Sequence, residues 1–191
     1  MPEPFRSITS RFVLVDRDHV DTDQIIPARF LTTTSRDGLG AHAFADWRGR
    51  PDCPLDAPGA EDARILVGGA NFGCGSSREH AVWALVDFGF RAVIAPSFGD
   101  IFRRNAVENG LLPVQVAADQ IAAIRAHPDA EVTVDLETCE VRMAGHPSAS
   151  FPADAFGRHC LLHGVDTLGF LLERAADIEA FEVARGDGGV R

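Results

Sequence analysis

The sequence has no Cys-x-x-Cys pair, no long apolar run and no excess of positive charge, and each absence removes a class of protein. Its four cysteines, Cys53, Cys74, Cys139 and Cys160, stand singly. Scattered thiols in a chain of this size read as free cysteines of a reducing compartment, not as a disulfide framework. No apolar stretch approaches the length of a membrane span. The N-terminal Met-Pro-Glu-Pro-Phe-Arg lacks the apolar core of a signal peptide. The expectation is a cytoplasmic protein with no membrane partner. The net charge of −10 argues against a nucleic-acid surface, which needs clustered basic residues. The same charge repels anions, so an anionic substrate requires a local basic site.

What is present is the composition of an ordinary folded protein, 46% hydrophobic and 24% charged. At 191 residues the chain can bury a core without disulfides or a structural metal, and the length predicts one domain spanning 1–191. Residues 10–15 predict a first strand. Residues 16–60 show little periodicity and are rich in Asp, Thr, Gly, Pro and Arg. So long a loop region inside a compact domain is either functional or disordered; a short helix is expected within 37–47. Regular alternation follows. A buried strand at 65–67 precedes a helix from about Ser77 to Phe88, with Ala81, Ala84, Leu85 and Phe88 on one face. A strand at 92–95 leads to a helix over 98–109 that ends at Gly110. A strand at 111–116 leads to a helix over 120–126 capped by Asp119. Alternation over 131–143 predicts a hairpin. Helices over 153–162 and 167–183 close the chain, and 186–191 reads as a frayed tail. This order predicts an α/β fold with a mixed, mostly parallel sheet flanked by helices.

The segment Asn71-Phe-Gly-Cys-Gly-Ser-Ser-Arg-Glu-His80 lies between a predicted strand and a helix N-terminus, where free backbone N–H groups and the helix dipole favour an anion. Gly73 and Gly75 allow a tight turn and close approach to a ligand. Ser76 or Ser77 can cap the helix. Arg78 adds a planar, permanently charged fork suited to a carboxylate. These parts describe a site for a small carboxylate or phosphate, set against the plainer reading of a turn with a cap. A dinucleotide fingerprint fits poorly, because Arg78 stands where its third glycine belongs. The Gly-x-Ser-x-Gly elbow of serine hydrolases is absent.

The same segment, extended to Ala81, resembles the signature of the mobile fourth domain of aconitases. Two further stretches match that family in order and spacing: Asp21-Thr-Asp-Gln-Ile-Ile-Pro-Ala-Arg29, and Ala95-Pro-Ser-Phe-Gly-Asp-Ile-Phe-Arg-Arg-Asn105 with Asn109-Gly-Leu-Leu-Pro113. The likeness covers nearly the whole chain and is nearest to the small subunits of the isopropylmalate isomerase branch. It implies a swivelling β/β/α domain that closes over a large partner subunit. It implies isomerisation of a small dicarboxylate, 2-isopropylmalate, to 3-isopropylmalate by dehydration and rehydration in leucine biosynthesis. It also implies a [4Fe–4S] cluster carried by that partner, whose iron takes the departing hydroxide as a Lewis acid. A cluster needs several closely spaced thiolates; Cys74 alone lies in the loop and reads as a packing residue, and no metal ligand is assigned to this chain.

The family uses a serine alkoxide as base, which the motif places at Ser76. Free serine is far too weak an acid at pH 7, so fixed positive charge and aimed donors must stabilise the alkoxide. Arg78 and the helix N-terminus would supply both. The resemblance makes Ser77 and Arg78 the holders of a substrate carboxylate, with Gly75 and Asp23 beside them. A second family arginine corresponds to Arg36, with Arg17 and Arg29 as alternatives. Phe30, Leu31, Thr32 and Leu39 in the loop 30–40 are expected to cover the substrate's apolar side chain. Homoaconitate and methyl-substituted malates stay open as substrates, since a methylene or two discriminates only modestly. A reading of another class is a stand-alone carboxylate-binding module. His159-Cys160-x-x-His163 has metal-like spacing but too few ligands for a closed zinc site. Glu79 suits the helix dipole, and Arg103 and Arg104 are expected on a helix near the site.

Overall fold

The computed structural model describes residues 3–32 and 35–185; the expected tail at 186–191 lies outside them. The buried strands are apolar on both faces because both faces are covered. Strands β2 (Phe12–Val15), β3 (Ile65–Gly68), β4 (Ala92–Ala95) and β5 (Leu112–Gln115) form a wholly parallel sheet in the order β2-β3-β4-β5. Successive side chains point to opposite faces. Val13, Val15, Leu66, Val93 and Ala95 enter one core cluster, while Phe12, Ile65, Val67, Ala92 and Ile94 enter a second. Near-continuous apolar runs are what a doubly covered parallel sheet requires. Pro113, which has no N–H to give a ladder, falls on the edge strand β5.

The first face carries α1 (Thr22–Ile25), α2 (Glu79–Phe88) and α3 (Asp100–Glu108), which ends at left-handed Gly110 as expected. The second face carries a wholly antiparallel sheet, β1-β6-β7-β8, built from β1 (Ser7–Ser10), β6 (Val132–Asp135), β7 (Glu140–Met143) and β8 (Ala149–Ser150). Helices α4 (Ala118–Arg125) and α5 (Ala155–His163) complete this layer. The α/β reading holds, and its mixed strand directions divide between two sheets. The expected first strand is the point of division. The chain pairs with β6 through Ser10, passes Arg11, and pairs with β3 from Phe12.

The segment without periodicity is a core-bearing layer. It consists of α1 and single 3-10 turns at Ala28–Phe30, Gly40–His42, Pro54–Asp56 and Ala60–Asp62. Isolated turns leave no repeating pattern, yet Ile25, Ile26 and Phe44 are fully buried. The helix expected within 37–47 is thus one 3-10 turn. Asp119 does not cap α4. Ala117 holds that position, and Asp119 lies in the first turn, where it still suits the dipole. The single helix expected over 167–183 is two, α6 (Thr167–Leu172) and α7 (Ala175–Ala184). Neither buries a side chain, so packing does not hold them to one axis.

The β6–β7 turn rests on Asp135. Its carboxylate accepts the N–H groups of Thr138 at 3.0 Å and Glu137 at 2.9 Å, and pairs with Arg142 at 3.1 Å. The Thr138 amide is the chief reason that its carboxyl is held below the usual carboxylate value, with Arg142 and the Glu137 amide adding to it. A carboxylate depressed in the native state contributes stability that is present above its unfolded value and lost as pH falls through the native one. Asp135→Asn is expected to lower the Tm at pH 7 and to flatten its decline between about pH 5 and about pH 3, as followed by circular dichroism.

Candidate active site

The loop from β3 to α2 is shaped by three left-handed residues: Asn71 at φ 56°, Gly73 at φ 71° and Gly75 at φ 89°. Gly73 is fixed twice over, because a Cβ there would lie 2.2 Å from Cγ of Phe102. The loop is joined to a neighbour on each side. On one side Gly73 N–H donates to the Val20 carbonyl at 2.7 Å, and Thr22 N–H donates to the Cys74 carbonyl at 3.0 Å. The Thr22 hydroxyl donates to the Ser76 carbonyl at 3.0 Å. On the other side Phe72 N–H donates to the Ser97 carbonyl at 3.0 Å, and Gly99 N–H donates to the Phe72 carbonyl at 2.9 Å. Asn71 N–H reaches Ser97 Oγ at 2.8 Å. The three separated sequence motifs therefore meet in space, with the loop in the middle. Helix α1 presents its residues rigidly because Asp21 and Gln24 form a capping box.

Gly75, Ser76 and Ser77 are exposed at the crest of this loop. Neither serine caps α2. Arg78 holds the N-cap position at φ −135°, and no side chain makes a capping bond. With its carbonyl held by Thr22, Ser76 stands two residues ahead of the cap and the helix starts at Glu79. The Arg78 guanidinium, only 17% exposed, forms an ion pair with Asp23. Asp23, Gly75, Ser76, Ser77 and Arg78 are thus gathered in one place.

Arg36 is exposed, and its guanidinium lies over the Trp83 ring, 5.1 Å from the centroid. No ion pair joins it to an acid among the described residues. Its two alternatives differ. Arg17 pairs with Asp52 at 2.8 Å over the Trp47 ring, and Arg29 pairs with Asp46 over Phe30. A groove of about 790 Å³ beside α2 is lined in part by Arg36, Trp83 and Asn109. Leu39 is buried in the core at 3% exposure and is not free to cover a ligand. Phe30 is partly buried and stacks on His42 at 4.1 Å. Sequence reasoning missed Thr22 and Ser97, which hold the loop from either side; the Asp21–Gln24 capping pattern was the available signal for the first.

The donors among the described residues do not suit an iron–sulfur cluster. Among the described residues no three His, Cys, Asp or Glu side chains gather as a metal site. Burial pushes the Cys74 thiol up, and the nearby Asp21 carboxylate pushes it further, the opposite of what a thiolate ligand needs. His159 bonds Glu173 at 3.0 Å and His163 bonds the His159 carbonyl at 2.9 Å, so both are engaged within the protein. Arg104 pairs along its own helix with Glu108 at 2.9 Å, and Arg103 reaches Gln115 at 3.3 Å.

Known proteins share both the motifs and the fold. The family model described as the aconitase C-terminal domain matches residues 5–119. A 3-isopropylmalate dehydratase small subunit from Anaeromyxobacter dehalogenans is 54% identical over 96% of this chain and 99% of that protein. One from Herpetosiphon aurantiacus is 49% identical over 95% of this chain and 94% of that protein. The crystal structure of a 3-isopropylmalate dehydratase from Methanocaldococcus jannaschii superposes with a TM-score of 0.70 at 32% identity, covering 91% of this chain and 98% of that one. The chain belongs to the aconitase C-terminal domain family, among the 3-isopropylmalate dehydratase small subunits.

Proposed function

We propose that this chain is the small, swivelling subunit of a cytoplasmic hydro-lyase that isomerises 2-isopropylmalate to 3-isopropylmalate in leucine biosynthesis, with the [4Fe–4S] cluster on the large subunit. The names of its relatives favour this substrate over homoaconitate or a methyl-substituted malate. The observation that carries the reading is the Arg78–Asp23 pair beside two exposed serines. Arg78 engages the carboxylate of Asp23, which supports reading it as a carboxylate clamp.

In this reading Ser76 Oγ takes the proton as the C–H bond breaks, the electron pair forms the double bond, and hydroxide leaves the neighbouring carbon. Rehydration with the positions exchanged gives the isomer. The Lewis acid that assists loss of hydroxide belongs to the partner. This chain's part is to hold and orient. Arg78 and Ser77 bind a carboxylate, Asp23 keeps the Arg78 fork in place, and Gly75 lets the substrate approach the backbone. Arg36 supplies the second cation; of the three candidate arginines it alone has no ion pair among the described residues. An alkoxide at Ser76 would be quenched in open water, so the exposed crest works only when a partner covers it. The small-subunit names of the relatives favour this reading over a stand-alone carboxylate-binding module.

Mixed with its cluster-bearing large subunit, the chain is expected to restore conversion of 2-isopropylmalate to 3-isopropylmalate. Ser76→Ala should lower kcat by about 100-fold or more without loss of assembly in size-exclusion chromatography; wild-type turnover in that variant would sink the base assignment. Arg36→Lys keeps the charge and loses the fork, and is expected to raise KM. Unchanged kinetics would remove Arg36 from the site.

A further inference from the structure

Residues 35–40 lie along α2 and are fastened at their far end. Gly40 N–H donates to Asp87 Oδ2 at 2.7 Å. The contact is so close that a Cβ on Gly40 would fall 2.4 Å from the Phe88 backbone nitrogen. Towards the start of α2 the loop has a second point of support, the Trp83 ring under Arg36. That ring is itself locked. Trp83 Nε1 donates to Asn109 Oδ1 at 2.9 Å. Asn109, 7% exposed, donates through Nδ2 to Glu79 Oε1 and to the Asn105 carbonyl, both at 2.9 Å. The His80 ring packs on Trp83 at a centroid distance of 4.6 Å.

We propose that Trp83, held by Asn109 and Glu79, is the positioning residue that sets where Arg36 stands relative to Arg78. This rests on the reading of Arg36 as the second substrate-binding arginine. Arg78 is the N-cap of α2 and Trp83 lies five positions on, roughly 7–8 Å along the axis. Both cations are therefore referenced to one rigid helix. A dicarboxylate with a fixed separation between its two charges needs its two guanidinium partners at a fixed separation as well. A loop arginine free to sample rotamers would not provide that; a cation–π platform narrows the choice.

The test is a double-mutant cycle in the complex with the large subunit, read as kcat and KM for 3-isopropylmalate. Trp83→Leu is expected to raise KM about tenfold, the scale of one cation–π contact, and to change kcat less. Trp83→Phe, which keeps a ring face, should recover most of the loss. In an Arg36→Ala background Trp83→Leu should add nothing. In the free subunit the same substitution should speed amide hydrogen exchange over 35–38 while α2 stays protected. If Trp83→Leu does not assemble, the cycle is run with Trp83→Gln, which keeps a donor for Asn109 and has no ring face. The proposal is overturned if Arg36→Ala is impaired but the Trp83 variants bind as wild type, or if the two effects multiply. Wild-type kinetics in Arg36→Ala would instead overturn the underlying reading of Arg36.

Discussion

Backbone hydrogen bonds from two neighbours hold the Asn71–Ser76 loop in a conformation that it could not keep alone. Three of its residues are left-handed, and its crest is open to solvent. An isolated loop of this kind would pay heavily in conformational entropy. The Val20–Thr22 and Ser97–Gly99 segments remove that freedom by accepting and donating main-chain bonds on either side. Everything assigned to the site depends on this clasp: the place of the Ser76 carbonyl, the start of α2 and the reach of Arg78 to Asp23. The close fit of Gly73 on Phe102 carries the constraint into the core, since Phe102 belongs to the cluster beneath α2 and α3.

Much of this was legible in the sequence, for identifiable reasons. Doubly buried strands are continuous apolar runs, so β3 and β4 could be located almost to the residue. The Gly-x-Gly-Ser-Ser-Arg pattern showed a turn aimed at a helix. What escaped were features decided by distant partners. The passage from one sheet to the other at Arg11 is invisible locally, because the chain is extended on both sides and only its pairing changes. The serine cap failed because the Thr22 hydroxyl, 54 residues away, holds the Ser76 carbonyl. Choosing among Arg17, Arg29 and Arg36 was beyond composition, since the chain has no lysine and all three positions carry the same side chain. Asp52 and Asp46 occupy two of them, and only the folded structure shows it.

The aperiodic segment 16–60 illustrates a further limit of pattern reading. Its single turns leave no repeat to detect, yet it supplies fully buried Ile25, Ile26 and Phe44 to the layer under α2. Burial of this kind, through dispersion and apolar transfer, anchors a loop-rich region together with main-chain bonds such as that from Phe44 N–H to the Ile25 carbonyl at 2.8 Å. A region that exposes Asp23 and Arg36 on one side while packing beneath has little room for a uniform helix or strand.

The Arg78–Asp23 pair has an electrostatic consequence for ligand entry. A guanidinium and a carboxylate in contact are neutral together, so in its proposed role as a clamp Arg78 would offer an approaching dianion a redistribution of hydrogen bonds and almost no net attraction. In the proposed reading the long-range pull falls to a cation with no ion pair among the described residues, and at this end of α2 that is Arg36. Under the proposed roles capture and grip are separate tasks: an exposed arginine would supply the field, which salt weakens, and a sheltered one the geometry, which salt leaves largely intact.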